Sequence, residues 1–209
     1  MRPENIMRND HLTKVALTAL FAALSYVAFT YLKIPLPGPG TSALHVGNAF
    51  CVLCALLLGG VYGGIAGSLG MTLADLMNPA YVTSAPKTFI LKFCIGLITG
   101  LVAHRVAHIS ESHDQKYILK WTILSSSAGL GFNIIFDPIF GYFYKQYILG
   151  VPQDLAATMA KISSAATFIN AVVSVILVTF LYMALRPALI KSGLFDILKP
   201  EPAKAKQTA

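Results

Sequence analysis

Charge is what this 209-residue sequence has least of: Asp, Glu, Lys and Arg together make up 12% of it. Soluble domains carry about 25%, so a water-facing shell of ordinary density is excluded. Acidic residues are the scarcer sign, nine against 16 basic, for a net charge of +7. The basic residues gather near the ends of apolar segments and do not form a patch interleaved with aromatics, which excludes nucleic acid as a partner. There are three cysteines. Cys51 and Cys54 form a C-x-x-C inside an apolar run with no second pair and no histidine partner, so they read, with Cys94, as small buried hydrophobes. Walker A, H-E-x-x-H and G-x-S-x-G patterns are missing, leaving no recognisable enzyme machinery, catalytic residue or cofactor site. No internal repeat emerges, and no small-x-small cleavage site follows the first apolar run, which is also longer than a signal-peptide core.

What is present is apolar. Hydrophobic residues make up 56% of the chain and mean hydropathy is +0.66. At ~20 residues per span, the length accommodates six transmembrane helices. The fold class expected is an all-α membrane protein with both termini cytoplasmic. The spans are Leu12–Leu32, Val46–Leu58, Val61–Met77, Thr88–Val106, Trp121–Tyr147 and Leu155–Leu189. One membrane domain, 12–189, lies between an N-terminal segment, 1–11, and a tail, 190–209. Three prolines and two glycines between Lys33 and Gly40 forbid helix and give an extended loop. Pro138 is expected to kink or break the fifth helix. Gly59, Gly63 and Gly67 recur every four residues, as do Gly60 and Gly64, and Gly96 and Gly100. Each set lays a groove along one helix face where a neighbouring backbone can settle.

Loop charges set the orientation. With the N-terminus inside, the cytoplasmic side holds Arg2, Arg8, Lys14, Arg105, Lys116, Lys120, Arg186, Lys191, Lys199, Lys204 and Lys206, 11 of the 16 basic residues; the positive-inside rule favours that sense. The polar residues within the spans then gather toward the outer side. Asp75, Asn78, Tyr81 and Lys87 flank the second external loop. Lys92 stands little more than a turn into the fourth helix. Asn133 and Asp137, four apart, share a face, Tyr142, Tyr144 and Lys145 follow them, and Lys161 and Asn170 lie on the sixth helix. Charges in lipid cost about 2.5–3.5 kcal/mol each on insertion scales, so they need partners or a task. Beside Phe132, Phe136 and Phe140 they suggest a pocket for a small, flat, polar molecule. The candidate ligand contacts are Asn78, Tyr81, Lys92, Asn133, Asp137, Tyr142 and Asn170.

Each has a plainer reading. Asp75 and Lys92 either neutralise one another or touch ligand. Asp137 either binds or satisfies backbone freed by Pro138. Tyr142, Tyr144 and Lys145 are ligand contacts or interfacial anchors. Asn170 is a contact or a helix–helix hydrogen bond, and Lys87 reads as a solvated loop charge. His104, His108 and His113 face the cytoplasm and read as no metal site.

The layout resembles the substrate-binding S components of energy-coupling factor (ECF) transporters. The resemblance runs through H-V-G-N at 45–48, A-L-L-L-G-G-V-Y-G-G-I-A-G at 55–67, L-A-D-L at 73–76 and T-F-I-L-K-F-C-I-G-L-I-T-G at 88–100, and extends over residues 12–189. It implies a subunit of the prokaryotic plasma membrane that binds a water-soluble vitamin or precursor near the outer face and hydrolyses no ATP. It also implies partners, a transmembrane T component and two ATPases, met through an Ala-x-x-x-Ala contact that Ala19 and Ala23 match. Packing within the subunit accounts for that spacing equally well. The first external loop lacks the acidic residues of the riboflavin-type pattern. A pyridoxine-like, pyrimidine or other vitamin precursor is therefore the expected ligand, with a stand-alone secondary transporter as the alternative function.

Overall fold

The central element is a short helix that meets almost no solvent. In the computed structural model, which describes residues 4–40 and 42–200 with side chains from Asp10 onward, helices α1 (Glu4–Tyr31), α2 (Gly47–Leu58) and α3 (Gly60–Leu76) come first. Eleven of the 12 residues of α2 are buried, so it forms the pillar around which the longer helices stand. Its expected bounds and those of α3 hold to within a residue. Helix α1 starts eight residues earlier than expected, because no Gly or Pro interrupts Glu4–His11 and a polar stretch propagates helix as readily as an apolar one. Arg2, Lys204 and Lys206 of the charge tally lie outside the described residues, as does the tail beyond Pro200.

Between α1 and α2 the proline-rich segment is extended, and it is also paired. Strand β1 (Lys33–Pro35) runs antiparallel to β2 (Ala43–His45), with Ile34 opposite Leu44. Leu36 N–H donates to Ser42 O at 3.0 Å. Proline excludes helix without excluding an edge strand, and Pro35 stands at the end of one.

Helices α2 and α3 join at Gly59, whose φ of +101° suits glycine alone. The glycine grooves are filled from two sides. A Cβ on Gly63 or Gly67 would strike Ala55 or Cys51 of α2. A Cβ on Gly96 or Gly100, in helix α4 (Ala85–Gly100), would strike the backbone of Gly64 or Gly60. So α3 is packed backbone to backbone between α2 and α4. Cys51 and Cys54 are free and fully buried in that seam.

A π-helical turn, Leu101–Val106, continues α4. Helix α5 (Gln115–Phe143) is capped by the Asp114 carboxylate, which accepts from Lys116 N–H at 2.9 Å. It runs on through Pro138 without the expected break and ends in a second π-helical turn, Tyr144–Ile148. Helix α6 (Gln153–Lys191) packs along α5 and α2. At 39 residues and ~1.5 Å per residue it overshoots a ~30 Å hydrocarbon layer. The tail then folds back as α7 (Leu194–Leu198), burying Phe195 and Leu198; the Arg186 guanidinium lies 5.0 Å from the Phe195 ring centre. Sequence polarity hid that return. Among the described residues, four helical stretches are long and apolar enough to cross a membrane: Asp10–Tyr31, Val82–Val106, Gln115–Ile148 and Gln153–Lys191.

Candidate functional site

At the hairpin end of the bundle, α2 begins, α3 ends, and α4, α5 and α6 bring polar residues at helical spacing onto inward faces. Thr88 and Lys92 are four apart on α4, Asn133 and Asp137 four apart on α5, and Ser163, Thr167 and Asn170 follow the i, i+4, i+7 stripe of α6. They converge on a cavity of about 80 Å³. Phe29 at the end of α1, His45 of β2 and Tyr81 of the α3–α4 loop close it.

Asp137 organises one wall. Lys87 Nζ donates to its Oδ1 at 2.8 Å, while Ser163 Oγ and Thr167 Oγ1 donate to its Oδ2 at 2.6 and 3.1 Å. One carboxylate thereby ties α4, α5 and α6 together. Lys87 is consequently no solvated loop charge: it sits in the first turn of α4, and its side chain and that of Asp137 are each 13% exposed. Gly141, one turn beyond Asp137, leaves space for the lysine.

Asn170 does something the sequence did not suggest. Its Oδ1 accepts from His45 N–H at 2.9 Å, and its Nδ2 donates to Ala43 O at 3.0 Å. The amide thus caps the outer edge of β2, much as another strand would, and fastens the hairpin to α6. His45 packs edge-on against Phe29 with ring centres 4.6 Å apart. Burial, reinforced by the Lys92 charge, pushes its pKa down to about 3 and keeps the imidazole neutral. The Lys33 ammonium lies 4.3 Å from the Tyr81 ring centre, joining the hairpin to the α3–α4 loop by a cation–π contact. Burial raises the Tyr81 phenol's pKa.

The remaining wall groups are unpartnered. Asp75 is 1% exposed and neither carboxylate oxygen has a well-formed hydrogen bond, the Thr88 hydroxyl of α4 being close enough only to interact with it weakly; Asp75 and Lys92 therefore do not hydrogen-bond to each other. Asn48 Oδ1, Asn133 Oδ1 and His45 Nδ1 are likewise buried without partners. Lys92 is buried, and its ammonium has no ion pair among the described residues. Five of the 16 unpartnered buried side-chain atoms among the described residues belong to this wall, both oxygens of a carboxylate among them; buried polar groups are normally satisfied, so the wall has room for a partner. A larger gap of about 660 Å³ opens at the opposite end, beside α7, and none of its lining residues carries an unpartnered buried side-chain atom.

Of the residues singled out from sequence, Tyr81, Lys92, Asn133, Asp137 and Asn170 line the cavity; Asn78 and Tyr142 do not. Asn78 forms the turn after α3, its Oδ1 accepting from Ala80 N–H at 3.1 Å. Tyr142 stacks edge-on with Phe143. The aromatic wall is also corrected. Phe136 and Phe140 are exposed on the outer face of α5, where Phe132 stacks with Phe136 and Phe140 with Tyr144. Asn133 and Asp137 are buried on the inner face of α5, while Phe136 and Phe140 lie at its exposed flank. Sequence reading missed Phe29, His45, Asn48, Ser163 and Thr167. The signal available was the spacing of Ser163, Thr167 and Asn170.

The family model for the ECF-type riboflavin transporter S component matches residues 9–187. The chain belongs to that family. Two solved structures show the same fold at low identity. One, described as the S component of a bacterial ECF transporter, is 17% identical with a TM-score of 0.60, covering 86% of this chain and 98% of its own. The other, ThiT from Listeria monocytogenes, is 19% identical with a TM-score of 0.64, covering 86% of this chain and 97% of its own. No curated protein matches the chain. An S component is a transporter subunit and not a class of enzyme. Membership in this family and four long apolar helices make the chain a multi-pass membrane protein. The lack of acidic residues in the first loop does not remove it from the riboflavin-named family.

Proposed function

We propose that the chain is the substrate-binding S subunit of an ECF-type importer. It captures a water-soluble vitamin or vitamin precursor at the outer face of a prokaryotic plasma membrane and hands it on through a T component driven by two ATPases. In this reading α1–α6 all cross the membrane, residues 12–189 form the membrane domain, and both termini are cytoplasmic. The hairpin end then faces outward, and the basic residues at the tail end follow the positive-inside rule. The observation that carries the reading is the cavity: a polar space at one end of an apolar bundle, with buried groups that lack partners on its wall. Such groups are costly in a membrane protein unless a ligand meets them.

Ala19 and Ala23 are exposed near the middle of α1, with Ala16 exposed on the turn before them. Ala22, by contrast, lies against Gly70 of α3. Small exposed side chains four apart suit close approach by a helix of the T component. The test is co-expression of tagged protein with a T component and two ATPases from the same genome. A four-subunit complex is expected, and Ala19→Trp with Ala23→Trp should abolish it without lowering the subunit's own unfolding temperature. Failure of the wild type to assemble, or assembly of the double variant, would refute the coupling role.

A further inference from the structure

Once the interactions inside the protein are set aside, the cavity wall holds two unused charges of opposite sign. Lys87 and Asp137 satisfy one another, with Ser163 and Thr167 completing the carboxylate's partners. What remains is Asp75, buried with neither oxygen in a well-formed hydrogen bond, and Lys92, buried with no ion pair among the described residues, on neighbouring helices α3 and α4. Around them, Asn48 and Asn133 each turn an unpartnered Oδ1 to the same cavity. Lys145, from the turn after α5, adds a second ammonium to the wall.

A carboxylate and an amide oxygen accept only, and an ammonium donates only. A ligand that met Asp75, Asn48 and Asn133 must present N–H or O–H groups there. One that met Lys92 and Lys145 must present acceptors, and an anion is the acceptor that also answers their charge. A neutral ligand would leave Asp75 and Lys92 with only through-space attraction to one another and, for Lys92, to Asp137, whereas a ligand carrying both signs would meet each charge directly.

We infer that the ligand is a small zwitterion, with a protonated or donor-rich nitrogen on Asp75 and a carboxylate or phosphate on Lys92. This rests on the substrate-binding reading above and narrows it to a charge class.

The test is thermal unfolding of the full-length protein in detergent against a panel sorted by charge. Riboflavin and nicotinamide serve as neutral probes, nicotinate and pantothenate as anions, thiamine as a cation, and the common amino acids with 4-(aminomethyl)benzoate as zwitterions. Stabilisation confined to a zwitterion is expected. Its amide, which lacks the anion, and its N-acetyl derivative, which lacks the cation, should each bind at least about tenfold more weakly. Lys92→Met and Asp75→Asn should reproduce those two losses; the derivatives decide the matter if either variant fails to fold. Strongest stabilisation by a neutral or singly charged probe overturns the charge assignment while leaving the substrate-binding role standing. No stabilisation by any probe counts against both.

Discussion

Removal of the Asp137 carboxylate is the perturbation whose cost follows most directly from the geometry. Three hydrogen bonds end on it, from α4 and α6, and the Lys87 ammonium beside it is 13% exposed. In Asp137→Leu, Lys87 keeps its charge but loses its counter-ion in a mostly buried position, a change worth about 3–5 kcal/mol. For a chain of this size each kcal/mol moves the unfolding midpoint by roughly 2–4 °C, so a fall on the order of 10 °C is expected. Lys87→Met should cost less, because Asp137 retains Ser163 and Thr167. The double variant should recover most of the loss, since two apolar side chains leave no orphaned charge. The assay is thermal unfolding in detergent, followed by fluorescence of Trp121, the single tryptophan. If the double variant falls by the sum of the singles, the two residues do not act as a pair and the tie between helices is misread.

Other expectations follow from the same end of the molecule. The His45 imidazole has its pKa lowered by burial from an ordinary 6.5 to about 3. Its neutral form therefore favours folding above about pH 6.5, and stability falls by roughly 1.4 kcal/mol per pH unit below that until the folded pKa is reached. The drop in unfolding temperature from pH 7 to pH 5 should shrink in His45→Gln; an unchanged drop would place the sensitivity elsewhere. Asn170→Ala removes both hydrogen bonds to β2, at a cost of ~1–3 kcal/mol. Amide exchange at His45 should quicken by at least about tenfold, while exchange in α2 stays unchanged. Gly96→Val drives a side chain into the backbone of Gly64 and should cost more than the ~1–3 kcal/mol typical of overpacking, read as loss of the monodisperse peak in size-exclusion chromatography.

Much of the fold was legible because lipid imposes simple rules. Apolar length marked the helices, and the four-residue glycine spacing marked the seam where α3 meets α2 and α4. What escaped depended on contacts between distant segments. Nothing local announces that Lys33–Pro35 pairs with Ala43–His45, or that Phe195 and Leu198 of a polar tail find an apolar seat. The site was legible in the same uneven way. Lys92, Asn133 and Asp137 stood out because charge and amide within an apolar helix are conspicuous. Ser163 and Thr167 did not, since hydroxyls are tolerated in helices and their partner, Asp137, lies 26 and 30 residues away in sequence. Face assignment on α5 failed for Phe136 and Phe140 because the aromatic and polar residues interleave, and only one set can point inward.

The most direct measurement is native mass spectrometry of the full-length protein, purified gently from cells grown in rich medium. One small molecule bound per chain is expected, released on activation in the gas phase and lost in Asp75→Asn. A chain that carries no ligand, and gains none when incubated with host-cell metabolite extract, would contradict the claim that this cavity is a capture site.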